Sequence, residues 1–298
     1  MASYALTFTA FIALSFAVAI PKDFLYIALS AEILSIAWIN TRFNIKALRS
    51  IAIALSCLVA FLLAPQILLI IQLSAYNLIE AKISLQSLPS LTSPILQLGL
   101  PVLFLGLSSY FFRIEKDSKF VQYLELSSIS LISIMGYYFI RSIFHSNEEA
   151  TFIKTSFVER GITTNIIFLF GLLCLTLGRK FKREMISISG VVLSLASIFR
   201  ILYFNCWIHN PVWTLQEVGS IPILNTLLLT YGLPMLWTWT LSKELLSLKK
   251  LELVKYSNYF MLFISFIFVS LNIRQMFQGS FLNGKVTSIA EIYTYSIV

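Results

Sequence analysis

Runs of roughly 20 apolar residues recur along the whole chain, with charge gathered in short clusters between them. Such a run matches the roughly 30 Å hydrocarbon core of a bilayer at about 1.5 Å per helical residue. Backbone amides inside lipid need internal partners, so each run is expected to be a helix. The alternation of a membrane β-barrel is absent, because apolar residues stand side by side, as in Ile51–Leu63 and Phe260–Val269. Charged residues make up 12% of the 298 positions, against roughly 25% in soluble chains, which leaves too little polar surface to coat a water-soluble particle. The reading is an all-α, polytopic transmembrane bundle. Helices are expected at approximately 3–20, 24–40, 46–71, 94–113, 119–145, 157–178, 183–205, 220–246 and 255–278, with a tenth starting near 287. Pro65 is expected to bend or break the third, leaving Gln66–Lys82 to continue or to lie along the interface.

The net charge of +8 does not indicate nucleic acid, because the basic residues fall between spans. The connections 40–49, 113–119, 179–183 and 243–255 carry fourteen Lys and Arg, and the alternate ones carry the other eight. The positive-inside rule then puts the N-terminus and the richer connections in the cytoplasm. The first run, Tyr4–Ile20, lacks a positively charged start and a clear cleavage site, so it reads as a retained span rather than a signal peptide. Cys57, Cys174 and Cys206 show no metal or redox spacing. His145 and His209 stand in separate connections and make no convincing metal centre. No phosphate loop, zinc-protease motif, nucleophile elbow or dinucleotide fingerprint is present, so no cofactor is expected.

A shift of 133 residues lays Gly99-Leu100-Pro101 on Gly232-Leu233-Pro234, Pro89 on Pro222, Tyr123 on Tyr256, Arg141 on Arg274 and Phe144 on Phe277. One residue later in register, Thr155, Ser156 and Glu159 fall on Thr287, Ser288 and Glu291. The shift spans four helices, so the repeat is parallel, with copies at about 88–160 and 221–292 inside one membrane region, 1–298. The second copy has seven residues after Glu291, where the first runs apolar to Gly178, which leads to the expectation of a fragment.

Ala19-Ile20-Pro21, then Ala31-Glu32 and the basic turn Arg42–Arg49, form one set of motifs. Asn210-Pro211-Val212-Trp213, Pro222-Ile223-Leu224-Asn225 and Tyr231-Gly232-Leu233-Pro234 form another. Together these resemble the large bacterial multi-pass membrane proteins catalogued as domain of unknown function 2339. Members of that family are usually longer, with more repeat copies and often a polar N-terminal region. The resemblance implies a bacterial inner (cytoplasmic) membrane. It brings no activity, substrate or catalytic residue.

Six polar residues are the candidates. Glu32 lies mid-span, where a carboxylate faces a partner, carries a proton or fixes packing. Glu159 and Glu291 fit capping boxes with Ser156 and Ser288. Arg141 and Arg274 can snorkel to headgroups, pair with Glu159 and Glu291, or hold an anionic ligand. Arg200 reads as a snorkelling residue. Three functions fit. The first is a structural or assembly component of the cell envelope, without chemistry of its own. The second is a transporter or channel, which needs a polar path through Glu32. The third is a membrane enzyme acting on an anionic lipid-linked substrate, which needs Arg141, Arg160, Arg200 and His209 to converge. The implied partners are the bilayer, other membrane proteins and a chain completing the last helix.

Overall fold

The computed structural model describes Ser15 and residues 25–43, 46–79, 92–115, 119–144, 156–284 and 287–297, with the backbone alone at Arg141 and several other helical positions. The expected first span, 3–20, lies outside the described residues apart from Ser15, as do Lys22, Lys82, His145, Glu148 and Glu149. Contacts divide the chain into two compact units, Met1–Lys154 and Thr155–Val298.

The first unit contains α1 (Leu25–Phe43), α2 (Lys46–Ile79), α3 (Thr92–Glu115) and α4 (Lys119–Phe144). Helix α2 runs on through Pro65, so the expected break is not made there. Leu29, Ile33 and Ile36 of α1 form one helical stripe, and Leu48, Ala52, Leu55 and Val59 of α2 form another. They pack with Val102, Leu105 and Phe112 of α3 and with Leu124 and Leu131 of α4.

The second unit contains α5 (Phe157–Lys180), α6 (Glu184–Arg200), α7 (Leu233–Ser247), α8 (Leu251–Gln278) and α9 (Ile289–Ile297). Helix α6 continues without interruption into a wider π-helical stretch, Ile201–Ile208, and a second π-helical stretch, Leu228–Gly232, leads into α7. The expected helix over 220–246 is corrected here: residues 209–225 form an irregular loop, and regular α-helix begins at Leu233. Gly219 (φ +94°) and Ile223 (φ +67°) adopt the left-handed region, which no helix tolerates in its interior. For a β-branched residue that conformation is costly, and the Ile223 N–H is held there by a bond to Asn272 Oδ1 at 3.0 Å.

The seam between α5 and α6 is made of small residues. Gly171, Gly178 and Gly190 lie where α5 and α6 touch, with Ser187 and Ser194 alongside. An added Cβ on Gly190 would stand 2.5 Å from the Leu175 nitrogen and 2.7 Å from the Gly171 oxygen. Helices in lipid gain little from burying apolar surface, and close backbone approach through small residues is how they pack. Large side chains fill the rest of the core, with Phe168, Leu175, Tyr231 and Ile264 fully buried, while Val192 on α6 and Phe266 on α8 are exposed. A glycine and serine seam between two long apolar helices suits packing in a hydrocarbon solvent.

Four helical stretches among the described residues are long and apolar enough to cross a membrane: Ala47–Pro65, Phe157–Lys180, Glu184–Ile208 and Leu251–Gln278. Nine full spans were expected from the apolar runs. Several of the other helices fall short in length or carry polar residues in their apolar stretch, as α1 does with Glu32.

Candidate functional site

The two ends of the second unit differ in chemistry. One end holds the 181–183 and 248–250 turns, rich in Lys and Arg. The other holds the loops 209–225 and 279–284, and three arginines lie one or two turns inside it. At this loop end the chain is tied by long-range polar contacts. Asn225 Nδ2 donates to Gln275 Oε1 at 2.7 Å and to Asn272 Oδ1 at 3.1 Å. Gln275 Nε2 donates to the Gly219 and Ile221 carbonyls, and the Val218 N–H donates to the Ser280 carbonyl.

Arg160 sits in the first turn of α5 and is 3% exposed. Its guanidinium lies over the Phe157 ring, 5.9 Å from the centroid, within electrostatic reach of Arg200, Tyr231 and Glu159. Arg200 closes α6 and reaches across to α5, where its Nε donates to Thr164 Oγ1 at 3.1 Å. That hydroxyl donates in turn to the Arg160 carbonyl at 2.7 Å. The Arg200 guanidinium lies over Phe204 at 5.2 Å, and Phe204 stacks on His209. Two arginines thus share one side of the bundle, each laid on an aromatic face that favours a cation. The wider winding after Arg200 and before Leu233 brings Asn205 and Tyr231 together, the Tyr231 hydroxyl donating to the Asn205 carbonyl at 2.7 Å. π-Helical turns of this kind recur at functional positions in helices.

Around this pair are buried polar atoms with no hydrogen-bond partner among the described residues: both amide atoms of Asn205 and the hydroxyl of Thr230. Asn205 is 1% exposed and Thr230 fully buried. A neighbouring amide shows the ordinary condition. Asn165 Nδ2 donates to the Gly161 and Leu229 carbonyls, and its Oδ1 accepts from Trp237 Nε1 at 2.8 Å. Buried polar groups are satisfied in the great majority of cases, so two orphaned side chains beside two arginines call for an explanation.

The other candidates are placed as follows. Arg274 pairs with Glu291, Nη1 to Oε1 at 3.2 Å, and also donates to the Leu282 and Gly284 carbonyls. Gln278 Nε2 reaches Glu291 Oε2 at 3.2 Å. The serine half of both expected caps is present, since Ser156 Oγ accepts from the Glu159 N–H and Ser288 Oγ from the Glu291 N–H, each at 3.1 Å. The Glu291 carboxylate itself is engaged by Arg274 and Gln278, and that is its main structural use. Arg141 lies in α4 of the first unit, and its side chain falls outside the described residues. Glu32 is buried in the first unit beside Leu29 and Ile33, with neither carboxylate oxygen hydrogen-bonded among the described residues. Of the four residues required to converge, Arg160 lies within electrostatic reach of Arg200, and Arg200 and His209 both lie against the Phe204 ring.

Sequence reasoning missed Thr164, Asn165, Asn205, Thr230 and Tyr231 as a group. A signal was available in the unbroken polar run Thr163-Thr164-Asn165 inside an apolar span, where lipid penalises each side chain left without a partner.

No curated protein and no solved structure matches the chain. The model of a family described as "Predicted membrane protein (DUF2339)" matches residues 1–298, the whole chain, and this protein belongs to that family.

Proposed function

We propose that this membrane protein is a non-catalytic component of the bacterial cell envelope whose second unit binds an anionic group at its loop end. One observation carries the reading: two guanidiniums, Arg160 and Arg200, come together in a largely buried place that also holds the orphaned side chains of Asn205 and Thr230. Two like charges in low dielectric repel, and an anion between them converts that repulsion into charge-assisted bonds. Two guanidiniums are the dominant groups of the site, and holding an anion is the chemistry they fit best. A phosphate or carboxylate on an envelope lipid has the right charge. The positive-inside count supports a cytoplasmic N-terminus, and with it the reading that this end faces the outer side of the inner membrane.

The proposal keeps the parallel repeat and the fuller set of spans. Helices α3 and α4, moved by 133 residues, would cover 225–248 and 252–277. The chain is helical over 226–247 and over Leu251–Gln278. The serine caps of α5 and α9, Ser156 and Ser288, recur at the shifted register.

Titration of the detergent-solubilised protein with a short-chain phosphate monoester lipid, followed by tryptophan fluorescence, tests the site. Saturable binding is expected to weaken at least tenfold in Arg160→Gln and in Arg200→Gln, since a charge-assisted bond contributes about 1.5–3 kcal/mol. The Lys243→Gln variant is the control. Equal binding by all three variants and the parent would end the proposal.

A second reading, transport, rests on Glu32, which carries a buried carboxylate at a cost that packing alone does not require. On that reading Glu32→Leu raises stability, by about 1–3 kcal/mol, because it removes an unsatisfied polar group. Denaturation in mild detergent measures this. A fall in stability would show that the carboxylate supports the fold, and would remove the ground for transport.

A further inference from the structure

A cavity of about 550 Å³ opens at the basic end of the second unit, between the start of α6 and the turn joining α7 to α8. Its volume is that of a small-molecule site. Four basic side chains line it: Arg179, Lys182 and Lys250, which are exposed, and Arg183, which is buried. Its inner wall is apolar, made by Ile188, Val191, Val192 and Leu253. A smaller apolar pocket of about 80 Å³ shares Val191 and Leu253 and extends toward Leu195 and Phe260, in the direction of the bilayer centre. The groove is therefore basic at one end and greasy along its length.

Two further facts favour an anion at the mouth. The N-cap of α6 is Arg183, which makes no side-chain cap bond, so the first amides of that helix present the positive end of its dipole. Arg179 is held in place by Glu244 and Ser247, its Nη1 donating to Ser247 Oγ at 2.8 Å. One carboxylate, Glu184, also lines the cavity and leaves the mouth with an excess of positive charge.

We infer that this groove seats an anionic phospholipid of the leaflet at the basic end, with its phosphate among Arg179, Lys182, Arg183 and Lys250 and an acyl chain along Val191 and Val192. A bare phosphate would use the mouth and leave the apolar wall unpaired. A neutral or zwitterionic lipid would use the wall and gain little from four cations. Basic pockets between membrane helices on this side of a bilayer are suited to anionic headgroups. The site is separate from the Arg160–Arg200 cluster, which lies at the opposite end of the same helices.

The test is native mass spectrometry of the full chain purified from vesicles of equal parts phosphatidylglycerol and phosphatidylcholine. One tightly retained phosphatidylglycerol per chain is expected. Retention is expected to fall about tenfold or more in the Lys182→Gln/Lys250→Gln double variant, both positions being exposed and outside the core. Val192→Trp, which fills the groove from an exposed position, is expected to reduce retention without changing the charge. Excess glycerol phosphate is expected not to displace the lipid. Equal retention of the two lipids, unchanged retention in the double variant, or full displacement by glycerol phosphate would each overturn the inference.

Discussion

Glu291→Ala is expected to destabilise the second unit by about 3 kcal/mol or more, because removing one partner of a buried ion pair strands the other charge. Glu291 is fully buried and Arg274 only 13% exposed at the side chain, so solvent screens the pair weakly. The loss is expected to be local first: α9 detaches from α8, since Gln278 and Tyr295 also bond to this carboxylate. Hydrogen exchange of the α9 amides, together with denaturation in mixed micelles, measures both effects. A double variant, Arg274→Met with Glu291→Leu, is expected to recover most of the lost stability, because apolar replacement of a whole buried pair is often neutral. If the double variant is as unstable as Glu291→Ala, the ion pair is not the cause.

Gly190→Leu is expected to separate α5 from α6. Even a single added carbon would press on the Leu175 nitrogen, which belongs to a helix backbone and cannot swing aside. Overpacking ordinarily costs about 1–3 kcal/mol, and here two helices must move apart, so about 3 kcal/mol or more is expected. The same helices carry Arg160 and Arg200, so anion binding is expected to fall together with stability. Gly136→Ala is the control, because an added Cβ there meets nothing within 4 Å. Equal stability of Gly190→Leu and the parent would show that the α5–α6 contact is not set by these small residues.

What the sequence made legible follows from what lipid enforces locally. Basic clusters mark where helices meet a membrane face, so the cluster Arg113, Lys116 and Lys119 predicts a helix from 119, and α4 starts at Lys119. Ser156 marks the start of α5 because a serine cap is a local contact. The late helix start before α7 was underread, because Pro222 is tolerated in a helix's first turn and so does not by itself exclude a start near 220. The loop is fixed there by Asn272 and Gln275, about 50 residues away in sequence. Arg200 was read as snorkelling for a similar reason. A helical sequence gives the face a side chain occupies but not the neighbour it meets, and the neighbour is Thr164. The seam of Gly171, Gly178 and Gly190 was not read from the sequence, because small residues become a contact only once α5 and α6 are known to pair.

The account turns on whether the site of Arg160 and Arg200 is reached from outside the cell. The most direct measurement is labelling of single cysteines by a membrane-impermeant thiol reagent in intact cells, in a background lacking Cys57, Cys174 and Cys206. Arg200→Cys tests the pocket, with Trp213→Cys marking the loop end and Lys182→Cys the basic end. The account predicts that positions 200 and 213 label from outside and that 182 labels only after permeabilisation. Position 213 labelling while 200 stays silent, or 182 labelling in intact cells, would contradict it.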